Sequence, residues 1–145
     1  VYPKLGELHA LVNTYSCSYF TQLICVTESW LSTKIPETAT ALDGFAQFRN
    51  DGSTESTNKT KGGGLLVYVS QEWSVNNNII HSHCDQNLEM LTITIRPHWL
   101  PREIQNIVIV SCYCPQTGDA KLAAVTKATT ETITNHWKIS IQMLQ

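Results

Sequence analysis

Apolar and polar positions follow distinct rhythms along this chain. Leu5, Leu8, Leu11 and Val12 are spaced for one helical face and predict a helix over residues 4–12. The apolar run Leu23 to Val26, followed by Thr27, predicts a strand over 23–27, with Glu28 just past its end. Ser29 or Ser32 can start a short turn, and Pro36 stops any long helix there. Phe45 to Arg49 reads as a short alternating strand, and NDGSTESTNKTK, residues 50–61, as a polar loop. Gly62 to Gly64 lead into LLVYV, a wholly apolar strand over 64–69. Asn76-Asn77-Asn78 marks a turn, and Ile79 to Ser82 an edge strand. Over 88–96 the alternation is clean, with Leu91, Ile93 and Ile95 on one face and Thr92 and Thr94 on the other. IVIVSCYC, residues 107–114, is the most apolar strand of all. Asp119 suits the N-cap of a last helix whose buried face would carry Leu122, Val125, Thr129, Ile133 and Trp137.

These elements predict a layered α+β domain. Continuous apolar strands imply cover on both faces, and the alternating strand implies an antiparallel partner. The expected arrangement is mostly one mixed or antiparallel sheet, holding strands 23–27, 64–69, 88–96 and 107–114, with flanking helices. One face of such a sheet has no partner in this sequence. Association through that exposed sheet, or poor solubility, is the expected consequence.

At 145 residues the chain suggests a single domain, long enough to bury a core. Charged residues make up only 15% against 42% apolar, and the net charge is −2, so no basic field advertises nucleic acid. A bound divalent cation can supply local positive charge instead. The five cysteines have no C-x-x-C spacing, and Cys25, Cys112 and Cys114 read as small core residues. No secretory signal and no apolar run of about 18 residues is present, which predicts an intracellular, reduced, soluble protein without membrane contact. The sequon at Asn58-Lys59-Thr60 then carries no meaning.

Few residues offer chemistry. Glu28 stands where a core strand runs out; it is either a solvated glutamate or a Mg²⁺ ligand fixed by the strand and open to a loop mouth. Tyr113, on an apolar strand, reads as a core aromatic. The glycines at 62–64 with Lys59 and Lys61 do not make a phosphate-binding loop of the G-x-x-x-x-G-K-[ST] kind. They suit close chain packing at the start of a strand, with the lysines in a solvated loop. His81, His83, Cys84 and Asp85 have the composition of a zinc site but lack further ligands at a matching spacing. Arg102 and Glu103 are expected to brace each other or the fold.

Four stretches in register carry a resemblance: ICVTESWLSTKIPETATALDGFAQFRND, KGGGLLVYV, HSHCDQNLEMLTITIRPHWLPREI and VIVSCYCPQTGDAKLA. Together they resemble the endonuclease domain of LINE-type (non-LTR) retrotransposons, in the endonuclease/exonuclease/phosphatase superfamily. The resemblance runs from about Leu5 to about Thr132, with 133–145 a divergent tail. It implies part of that superfamily's sandwich, an ancestral Mg²⁺-dependent nicking of DNA, and a nuclear location. It also implies roles at two positions. Glu28, in Thr27-Glu28-Ser29-Trp30-Leu31, matches the glutamate that binds the catalytic Mg²⁺. Tyr113, in Tyr113-Cys114-Pro115, matches the tyrosine that reaches the phosphate.

The sequence also departs from that pattern. The family's early asparagine, its Gly-Asp-Phe-Asn and its Ser-Asp-His find no counterpart. Gly118-Asp119 continues into Ala120-Lys121 and opens the expected helix, so it does not supply the second of these. The expectation is a truncated, N-terminal portion of such a domain, inactive alone. Two other classes compete with it: a non-catalytic binding module, and another phosphoesterase of the superfamily.

Overall fold

The computed structural model of the chain describes residues 5–15, 21–51, 63–85, 88–114 and 130–131. The chain forms two compact units, Val1–Tyr113 and Cys114–Gln145. In the second unit Thr130 and Glu131 are helical and exposed. The rest of the helix expected after Asp119 lies outside the described residues, as do Lys59, Lys61 and Gly62.

The first unit runs α1 (Leu5–Tyr15), β1 (Leu23–Thr27), a 3-10 turn (Glu37–Ala39), β2 (Phe45–Asn50), β3 (Leu65–Ser70), β4 (Ser74–Cys84), β5 (Glu89–Pro97) and β6 (Ile107–Tyr113). The mixed class is as expected, but the sheet arrangement is not. The strands form two three-stranded sheets, β1-β3-β2 and β4-β5-β6, and all their pairings are antiparallel. The single sheet predicted from the strand pattern is therefore wrong. Alternation fixes which way a side chain points, but not which strand lies beside it. After β3 the chain turns at Gln71–Trp73, with the Trp73 N–H donating to the Ser70 carbonyl at 3.2 Å, and β4 starts a second layer.

The two layers close on each other. Leu65, Val67 and Val69 from β3 meet Leu91, Ile93 and Ile95 from β5, each at most 1% exposed. The predicted core face of β5 is thus in place. The inner face expected to be open is covered, which removes the reason given for association through it. Burial of a Val, Leu or Ile side chain stabilises by about 1.5–3 kcal/mol, and all six of these side chains are buried.

The outer face of the first sheet is covered by α1. Val12 packs with Leu31, Leu42, Leu66 and Tyr68, and Leu8, Ile24 and Val26 lie against them. Leu11, predicted on the same helical face, is 56% exposed. At roughly 100° per residue, positions 5, 8 and 12 share a stripe and position 11 falls on its flank. Central β3 is buried throughout, whereas the equally apolar β6 is only half-buried, because it has one neighbouring strand. The same cause corrects the cysteines: Cys25 on β1 and Cys112 on β6 lie on edge strands and are exposed, and Cys114 is half-buried. No described helix is long and apolar enough to cross a membrane.

Candidate functional site

One end of the sandwich gathers chemistry from both sheets. The antiparallel registers Thr27↔Leu65, Asn50↔Leu65 and Glu89↔Tyr113 bring the ends of β1, β2 and β6 beside the starts of β3 and β5. Asn50 then ties the layers together. It lies on the inner face, in phase with Phe48, and its Nδ2 donates to the carbonyls of His83 at 2.9 Å and Met90 at 3.0 Å. An amide is suited to this task because it carries two donor hydrogens.

Glu28 leaves β1 with a φ of +55°, in the left-handed region. Strand alternation would put it with Ile24 and Val26, toward α1. The left-handed turn takes it out of that phase and toward the second sheet. Backbone pairing continues past it, with Ser29 N–H to Gly64 O at 3.0 Å and Trp30 N–H to Gly63 O at 2.9 Å. Oε2 of Glu28 accepts from Trp30 Nε1 at 2.8 Å and from the Gly63 amide at 2.9 Å. The Tyr113 phenol faces the same carboxylate, whose hydrogen-bonding pull pushes it up to about 12, helped by burial and by the charges of Glu28 and Glu89. The phenol therefore keeps its proton throughout the neutral range. Both residues singled out in the sequence are thus brought together, one from each sheet.

Glu89 completes the cluster and was not singled out in the sequence. It is 1% exposed, and its Oε2 accepts from the Gly64 amide at 2.7 Å. Successive amides, Gly63 and Gly64, thus serve two carboxylates from opposite sheets. Charge-assisted bonds of this kind offset the cost of burying an acid. The glycines are required here. Gly63 has a φ of +81°, and a Cβ on it would lie 2.3 Å from Glu89 Oε1. Close packing, as expected from the sequence, is what Gly63 provides. A sequence signal for Glu89 did exist: it is in phase with Leu91, Ile93 and Ile95, on the core row of its strand.

The segment after Glu28 is held from the outer face. Arg49 makes a bidentate pair with Asp51, at 3.0 and 2.7 Å, and donates to the carbonyls of Ile35 at 3.0 Å and Ser32 at 3.1 Å. Ser29 and Leu31 are buried, so Trp30 stands between two fixed neighbours.

The other candidates take different places. His81 and His83 stack on β4 with centroids 6.5 Å apart, and His83 Nε2 pairs with Asp85 Oδ2 at 2.9 Å. Arg102 and Glu103 are both exposed, and the loop they occupy is braced by Arg96, whose Nη1 donates to the carbonyls of Ile104 and Gln105.

Would these residues suit Mg²⁺? The donors match in kind, since Glu28 offers carboxylate oxygen to a hard cation. They are few in number: among the described residues no group of three or more His, Cys, Asp or Glu could hold an ion. Trp30 Nε1 and the Gly63 amide already engage the Glu28 carboxylate. A cation here would be held by one carboxylate and otherwise by water and substrate phosphate, which is common for Mg²⁺.

No protein-family model matches this chain, and no curated protein matches it.

Proposed function

We propose that this chain carries the metal-and-phosphate half of an endonuclease/exonuclease/phosphatase-type site, related to that of LINE-type retrotransposon endonucleases, and that it binds a DNA phosphodiester without cutting it. The observation that carries this reading is that Glu28 and Tyr113 meet at one end of the sandwich, from strands in two facing sheets. The sandwich and the Thr-Glu-Ser-Trp-Leu and Tyr-Cys-Pro stretches support it further.

Each residue has a defined task. Glu28 would hold Mg²⁺, which when bound polarises a phosphoryl oxygen. Tyr113 has one hydroxyl proton and directs it at Glu28, so contact with a phosphate oxygen requires that proton to be shared or turned away. The Gly63 amide and Trp30 Nε1 hold the Glu28 carboxylate in place. None of these groups removes a proton from water or protonates a leaving oxygen. A missing general base alone costs on the order of 10²–10⁴ in rate. A phosphate contact that binds ground and transition states alike adds little.

The test is conversion of supercoiled plasmid to open circle in Mg²⁺, with EDTA as control. The chain should nick no faster than its Glu28→Ala variant while still binding DNA in a Glu28-dependent way. Mg²⁺-dependent nicking that disappears in Glu28→Ala would overturn the non-cutting half of the reading. DNA binding unaffected by Glu28→Ala would overturn the other half.

A second reading, an interaction module, draws on β4. This edge strand exposes Val75, Ile79 and Ile80. Its register shifts at Val75/Asn78 and Ile79/His81 blunt it as a template for another strand. Sedimentation separates the two: strand addition through β4 gives a concentration-dependent mass that a Lys at Ile79 abolishes.

A further inference from the structure

We propose that the indole of Trp30 is a stacking face for a nucleobase beside the phosphodiester at Glu28 and Tyr113. This rests on the phosphodiester reading of that site and adds the substrate class: a DNA strand whose base is free to leave its stack.

Trp30 is 60% exposed, although it follows a buried serine and precedes a buried leucine. Its φ is +57°, in a region that bulky residues rarely occupy. The conformation is held by the Trp30 N–H bond to Gly63 O at 2.9 Å and by the buried side chains on either side. Strain of this kind at a site, maintained by its surroundings, is a pointer to function. The ring itself is also fixed. Nε1 donates to Glu28 Oε2 at 2.8 Å, so the indole is fastened by one edge to the carboxylate that forms the site. The polar edge is engaged and the large π face remains in solvent.

That geometry suits one partner in particular. Base stacking on an aromatic face tolerates any sequence, because every base has a π face. It also suits a chain of net charge −2, because stacking on an aromatic face needs no cation. Trp99 offers a contrast: it is equally exposed, at 66%, but lies in the β5–β6 loop without such a tether.

The test uses two single strands of about eight nucleotides with equal phosphate counts, oligothymidylate and its base-free tetrahydrofuran analogue, in Mg²⁺. Binding is read by anisotropy, and the indole N–H resonance of Trp30 is followed by NMR. The base-bearing strand should bind about tenfold more tightly, as expected for one stacked base. Its addition should shift the Trp30 resonance. Trp30→Ala should erase the tenfold ratio. Trp30→Phe, which keeps a ring but loses the tether to Glu28, should retain part of it and guards against a folding defect. Equal binding of the two strands, or a ratio that survives Trp30→Ala, overturns the stacking role. In that case weakening of both strands by Tyr113→Phe would leave the phosphodiester reading standing. No binding of either strand overturns both.

Discussion

The Tyr113 hydroxyl on β6 faces Glu28 at the end of β1, although these strands belong to different sheets and share no backbone pairing. Ionising that phenol removes its hydrogen-bond donor and places a third negative charge beside those of Glu28 and Glu89. Tyr113 should therefore titrate near about 12, above the ordinary value of 10. The folded value is raised, so the stabilisation is complete below pH 10 and is lost as the pH climbs toward about 12. Glu28→Gln should bring the titration back toward the ordinary tyrosine range. Carbon-13 NMR of the tyrosine ring carbon that bears the hydroxyl, followed against pH, reads this directly. A wild-type Tyr113 that titrates like a free tyrosine would show that the bond does not form.

Gly63 and Gly44 make a matched pair. Both have positive φ, +81° and +79°, but only at Gly63 would a Cβ meet another atom, Glu89 Oε1 at 2.3 Å. Gly44→Ala should cost about 1 kcal/mol, the left-handed penalty alone. Gly63→Ala adds a clash with a buried carboxylate and should cost about 3 kcal/mol. Urea denaturation of both variants gives the comparison. In a Glu89→Ala background the extra cost at Gly63 should shrink toward that at Gly44; equal losses at the two glycines from the outset would mean that Glu89 does not fill that space.

Asn50 is the polar staple between the layers. Asn50→Ala removes two donors and leaves the carbonyls of His83 and Met90 to find other partners, at a cost of about 2 kcal/mol. Asn50→Asp should be worse, because a carboxylate there faces two carbonyl oxygens and has no hydrogen to give. Thermal melts of both variants check the order. An Asp variant as stable as wild type would contradict the bridging role.

Much of this was legible in the chain. The β5 alternation named the core residues Leu91, Ile93 and Ile95, the end of β1 drew attention to Glu28, and the family resemblance added Tyr113. What was not legible depended on neighbours. Whether β3 and β5 share a sheet or face each other across a core leaves the same apolar pattern, since either arrangement buries both strands. The apolar composition of β6 did not show that it ends with a single strand neighbour. Glu89 escaped notice because an acid at a strand's first position looks solvated, and its partner, the Gly64 amide, is 25 residues away. The outward turn of Trp30 depends on left-handed φ values at Glu28 and Trp30, which no non-glycine sequence announces.

Whether Glu28 and Tyr113 act as one metal-and-phosphate site is read most directly from the tyrosine ring carbons in the presence of Mn²⁺, a paramagnetic substitute for Mg²⁺. Among the five tyrosines, the Tyr113 signal should broaden first and most strongly. Dimethyl phosphate should enhance the effect, and Glu28→Ala should abolish it. Broadening spread evenly over the tyrosines, or unchanged at Tyr113 in Glu28→Ala, would mean that this end of the sandwich holds no metal at Glu28 and that its hydrogen bonds serve the fold alone.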